Sequence, residues 1–143
     1  MKTWIKTPAA TWTGNQTSAE NGIIIEGNVI TELVNGEPES PVDEIYDAKK
    51  CVLLPGLVNC HHHFYQTLTR ALPGALNKEL FGWLVSLYPI WANLDEEAIR
   101  TATTTAVCEL LLSGCTTTTD HHYVFSDQTT NAIDIQAEVT ERL

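Results

Sequence analysis

The apolar positions change period near residue 55, and that change divides the chain. From Thr3 to Leu54 they alternate, or run in short bursts between turn residues. TWIK reads as one strand. GIIIEGNVITELV reads as two strands joined by a tight turn at Gly27-Asn28, residues that tolerate the positive φ a two-residue hairpin needs. A polar, proline-containing loop, NGEPESPVDE, follows, and IYDAKKCVLL resumes the strand pattern. The pattern predicts a small all-β unit.

Beyond Pro55 apolar runs alternate with helical periods. LVN is short, apolar and bounded by Pro-Gly and by histidines, as a buried parallel strand would be. From Lys78 to Ala92, Leu80, Trp83, Leu84, Leu87 and Trp91 recur at helical steps, with Pro89 set to kink or end the helix. Asp95 ahead of Glu96 and Glu97 predicts a cap followed by acids that favour the helix dipole. Ile99, Ala102, Ala106, Leu110 and Leu111 form the stripe behind that start, and Gly114 supplies a stop. CTTTTDHHY is a β-branched run that predicts a second buried strand ending in Asp120, His121 and His122. NAIDIQAEVTERL predicts a last helix carrying Ile135 and Val139 on one face. Strand, helix, helix, strand, helix is the opening of an α/β parallel sheet or barrel. Two strands do not close one, since a (β/α)8 barrel takes about 250 residues.

Composition narrows the classes. A chain of 143 residues that is 43% hydrophobic, with four tryptophans, is globular. A net charge of −10 without a Lys/Arg cluster argues against a nucleic-acid or anionic-membrane partner. MKTWIKTPAATW lacks the apolar core of a signal peptide, and no apolar run approaches the roughly 20 residues that span a bilayer. A cytoplasmic location is therefore expected. Cys51, Cys60, Cys108 and Cys115 form no CxxC pair and read as reduced thiols in apolar surroundings. Nothing in the pattern fixes an oligomeric state.

The candidate chemistry lies in PGLVNCHHHFYQ, which holds three of the chain's five histidines. Side chains on an extended segment alternate faces, so His61 and His63 point one way and His62 the other. Such a pair can present two imidazoles to zinc or another divalent ion that accepts nitrogen. The spacing alone also fits a surface cluster or a satisfied core histidine. A catalytic zinc usually takes three protein ligands, so two leave the site incomplete. His121 and His122 would line the same rim and shape the pocket rather than ligate. Gln66 is either a solvated helix residue or an amide held over the site, where it could bond both donors and acceptors of a heterocycle. Trp83 and Trp91 read as core.

PGLVNCHHHFYQTLTRALP, LYPIWANL and ELLLSGCTTTTDHHY together resemble the amidohydrolase superfamily, in its branch of nucleobase and chlorohydrolase-type deaminases. The resemblance runs from TWIK to AIDIQAEVTERL. It implies that His61 and His63 are two metal ligands, that zinc is the expected ion, that His62 is not a ligand and that Gln66 contacts substrate. It implies that residues 1–54 are part of a composite β-sandwich and that residues 55–143 are the first strands and helices of an incomplete (β/α)8 barrel. The implied activity is hydrolytic deamination of a small purine-like heterocycle, first of all 8-oxoguanine to urate and ammonia, with guanine, pterin or hydroxy-triazine substrates as alternatives. In that mechanism a cation acidifies water and a glutamate shuttles protons. The superfamily draws its third histidine, that glutamate, a fourth histidine and a metal-binding aspartate from later strands. Asp120 is not that aspartate. An N-terminal fragment with no catalytic residue of its own, inactive alone, is the expectation. A non-catalytic protein that binds a partner through open sheet and helix faces is the reading from another class.

Overall fold

The computed structural model describes residues 1–15 and 17–143, which form a mixed α/β structure in two units, Met1–Pro55 and Gly56–Leu143. The first unit contains β1 (Lys2–Lys6), β2 (Ala10–Thr11), β3 (Gly22–Glu26), β4 (Val29–Leu33), β5 (Glu44–Asp47) and β6 (Val52–Leu53). Four of these make one sheet in the order β4-β3-β1-β5, antiparallel except where β5 runs parallel to β1. Trp4 of β1 sits opposite Ile24 of β3, and both are buried with Val34. The polar tip of that buried indole donates to the Asn21 carbonyl at 3.0 Å, so its burial leaves no donor unmet.

The structure refines two local readings in this unit and adds a strand. IYDAKKCVLL is not one strand: the Cys51 N–H closes a turn on the Ala48 carbonyl at 2.7 Å and sends β5 and β6 to different partners. The partner of β6 is β2, a two-residue strand too short to leave a periodic signature. At the hairpin only Gly27 takes a positive φ, of 62°, and Asn28 does not, which is the turn with glycine first.

Gly22 fixes the start of β3. Its φ is +100°, and a Cβ there would overlap the Ile5 carbonyl of the neighbouring strand. Gly22→Ala is expected to cost roughly 1–3 kcal/mol through backbone strain, read as a lower urea midpoint. An unchanged midpoint would mean that β1 and β3 can part without loss.

The second unit holds β7 (Leu57–Asn59), α1 (Leu80–Trp91), α2 (Glu96–Leu112), β8 (Cys115–Thr118) and α3 (Ala132–Arg142), with a 3-10 segment at Phe64–Thr69. β7 and β8 pair in parallel. The ladder continues past them, with Thr119 N–H on the Asn59 carbonyl at 3.0 Å and His121 N–H on the His62 carbonyl at 2.8 Å. Side chains cap both longer helices. Glu79 accepts from the Phe81 and Gly82 amides ahead of α1, and Asp95 accepts from the Ala98 amide at 2.8 Å ahead of α2. Pro89 lies inside α1, which runs only two residues beyond it.

Tyr65, Leu87, Trp91, Ile99, Ala132, Ile135 and Val139 form the main core, where α1, α2 and α3 meet the 3-10 segment. Ala102 and Ala106 are fully buried, and these small residues let the 3-10 segment approach α2 closely. The Thr67 hydroxyl lies 3.2 Å from the Ala102 carbonyl. The expectation of buried strands fails for Leu57 and Val58, which are 54% and 64% exposed on the two-stranded β7-β8 sheet. Leu80 and Leu111, expected on apolar stripes, are also exposed. No helix among the described residues is long and apolar enough to cross a membrane.

Candidate metal centre

β7 ends at Asn59, and the chain leaves it extended through three histidines before the 3-10 segment begins. The Asn59 side chain accepts the His61 backbone N–H at 2.9 Å and so holds the first bend. The imidazoles of His61 and His63 then converge, with Nε2 atoms 3.1 Å apart and ring planes at 86°. At the roughly 2.0–2.1 Å bond of zinc to an imidazole nitrogen, two ligands at that separation subtend about 100° at the metal, close to tetrahedral.

The tautomer fits as well. Nδ1 of His63 lies 2.7 Å from the His121 carbonyl, an atom that can only accept, so Nδ1 carries the proton and Nε2 presents its lone pair. A carbonyl behind a ligating histidine is the usual outer support of a metal site. His61 Nε2 can donate a proton to His63 Nε2 or, with that proton on Nδ1 instead, share a cation with it. Two imidazoles thus fit a divalent ion. Among the described residues no group of three or more His, Cys, Asp or Glu side chains is arranged to hold a metal.

His62 turns away from the pair. Its ring packs edge-on against Phe64, at 5.0 Å between centroids, and its Nδ1 is buried without a partner. Burial pushes its pKa below the ordinary histidine value, with Asp120 opposing the shift. It is nonetheless part of a concavity of about 590 Å³, whose other walls include His61, His63, Gln66, Arg70 and Trp83. Arg70 makes a bidentate pair with Glu109 at 3.1 and 2.8 Å on that wall. Both partners are more than half exposed or close to it, so the pair defines shape more than it adds stability.

Gln66 lies on the same concavity as the histidine pair. Its amide nitrogen donates to the Tyr65 and Tyr123 hydroxyls, each at 3.2 Å, and its side-chain carbonyl has no partner among the described residues. Tyr65 is fully buried, and that burial raises its phenol far above the usual range. Tyr123 also stands edge-on to His63, at 5.2 Å. Sequence reasoning missed both tyrosines, although Tyr123 lies two positions after His121 on the same extended run. His121 brings its ring within 4.9 Å of His61 and 5.7 Å of His63. His122 faces elsewhere, with Nε2 donating to the Val124 carbonyl at 2.7 Å. Trp91 is core, while the half-buried Trp83 also lines the concavity.

Residues 52–142 match the Amidohydrolase family. The chain is 50% identical over 144 residues to 8-oxoguanine deaminase from Pseudomonas aeruginosa, across 99% of this chain and 32% of that protein. Isoxanthopterin deaminase from an unknown prokaryotic organism is 35% identical over 86% of this chain and 27% of its own length. The solved structure of atrazine chlorohydrolase from Arthrobacter aurescens TC1, complexed with zinc, shares the fold with a TM-score of 0.81 at 24% identity, over 99% of this chain and 33% of that one. The chain spans about a third of the length of the curated relatives it matches.

Proposed function

The chain belongs to the amidohydrolase family, and from that premise we propose that it forms part of a metal-dependent deaminase acting on a purine-like heterocycle, 8-oxoguanine before others. The reading rests on one juxtaposition: a pair of imidazole nitrogens 3.1 Å apart and the Gln66 amide on one concavity. His61 and His63 would hold the cation. When bound, a divalent ion supplies acidified water and polarises the atom under attack. The protein's own share is positional. Asn59 and the His121 carbonyl aim the two imidazoles, and the two tyrosines fix the Gln66 amide nitrogen. That leaves the Gln66 carbonyl as an acceptor for a ring N–H, a group that 8-oxoguanine carries.

On this reading the all-β unit is part of a β-sandwich, and the Gly56–Leu143 unit is the opening of a (β/α)8 barrel. Chemistry in such barrels sits at the C-terminal ends of the strands, which is where β7 delivers its histidines. The test is ammonia release from 8-oxoguanine, guanine, isoxanthopterin and a hydroxy-triazine, assayed on these 143 residues and on the reading frame that extends them. The extended protein should favour 8-oxoguanine. The 143 residues should release none, because two ligands fall short of the three a catalytic zinc usually takes. Turnover of the triazine with none of 8-oxoguanine would replace the substrate assignment.

A further inference from the structure

Asp120 has no place in the roles above, yet both of its oxygens are committed. Oδ1 accepts the Phe64 backbone N–H at 2.8 Å, and Oδ2 accepts the Gln136 amide nitrogen at 2.8 Å. Phe64 directly follows His63, and His121 directly follows Asp120. The carboxylate therefore clamps the two backbone segments whose separation sets the 2.7 Å bond between His63 Nδ1 and the His121 carbonyl. Gln136 is buried on α3, only 6% exposed, and the same amide nitrogen lies 3.3 Å from His122 Nδ1. Because His122 Nε2 donates to a carbonyl, its Nδ1 is free to accept, so the amide has two acceptors and one orientation.

A carboxylate that merely closed a turn would need only the backbone donor. Here the second oxygen is held from another helix by a buried side chain, and hydrogen bonds to a carboxylate are stronger and shorter than neutral ones. We propose that Asp120, backed by Gln136, is a positioning residue that fixes the tautomer and aim of His63. Through it, the unprotonated Nε2 of His63 is held beside His61 to receive a divalent cation. The proposal rests on the metal reading of the pair, but its first consequence is independent of metal.

The test uses the 143-residue chain and its Asp120→Ala and Gln136→Met variants. Imidazole tautomers are read by long-range nitrogen–proton NMR in mildly alkaline buffer, and Zn2+ affinity by calorimetric titration. The unaltered chain should show His63 as a single tautomer with Nδ1 protonated. Asp120→Ala should mix the tautomers and lower Zn2+ affinity about 10- to 100-fold, the usual effect of losing a group behind a ligand. Gln136→Met should move both in the same direction by less, and it decides the matter if Asp120→Ala does not fold. Folded variants that keep a single His63 tautomer and full Zn2+ affinity would overturn the proposal. An unaltered chain that takes up no Zn2+ would overturn the metal half of the proposal, and the His63 tautomers of the two variants would still decide the clamp.

Discussion

His63→Ala is expected to lower Zn2+ affinity by more than about 100-fold, beyond the 10- to 100-fold that follows from disturbing groups around a ligand. Two losses combine in that substitution. One of the two converging nitrogens disappears, and so does the 2.7 Å bond that ties the histidine run to the His121 carbonyl. His61→Ala removes a ligand but leaves that bond, so it should weaken binding with less disturbance around His121. His62→Gln is the control. Its ring packs on Phe64 and contributes no nitrogen to the pair, so Zn2+ affinity should stay within a few-fold. Calorimetric titration of the three variants gives the order. If His62→Gln were the most damaging and His63→Ala neutral, the pair would be a surface cluster and the metal reading would fall.

The alternation of faces along an extended segment was enough to group His61 with His63, because that rule depends on backbone geometry alone. The caps at Asp95 and the stripe of Ile99, Ala102 and Ala106 were legible for a similar reason: they are local and periodic. What stayed hidden was made by contacts distant in sequence. β2 is a strand only because residues 10 and 11 meet residues 52 and 53. The tie between Asp120, Phe64 and Gln136 spans 56 residues on one side and 16 on the other, and no spacing rule connects them. The fixing of Gln66 by Tyr123 crosses 57 residues in the same way. The exposure of β7 runs against its apolar pattern because an apolar run announces that a face wants cover, not that this stretch of chain supplies it. Leu57 and Val58 carry the composition of a buried strand on a two-stranded sheet.

Trp91→Ala is expected to destabilise the Gly56–Leu143 unit by about 3–5 kcal/mol, the range for emptying a buried aromatic site. Trp91 is fully buried, with three aromatic neighbours standing edge-on to it: Tyr65 at 5.1 Å, Trp83 at 5.4 Å and Tyr88 at 5.6 Å. Its indole N–H donates to the Thr69 hydroxyl at 3.1 Å, which pins the end of the 3-10 segment to α1. Against a typical domain stability of about 5–15 kcal/mol, a loss of that size leaves the unit marginal or unfolded. Trp91→Phe keeps an aromatic face against Tyr65 but loses the donor and part of the volume, so its cost should be about 1–3 kcal/mol. Urea unfolding followed by circular dichroism gives both values. The site should respond in the same order, because Tyr65 joins the two ends of the chain of contacts: its ring rests on Trp91, and its hydroxyl accepts from the Gln66 amide. In Trp91→Phe the Gln66 side-chain amide signals should broaden or shift while those of His63 stay in place, since His63 is held from the β8 side by His121. A Trp91→Ala protein that melts within about 1 kcal/mol of the unaltered chain would show that the aromatic cluster collapses without cost, and that Tyr65 is held by its own burial rather than by Trp91.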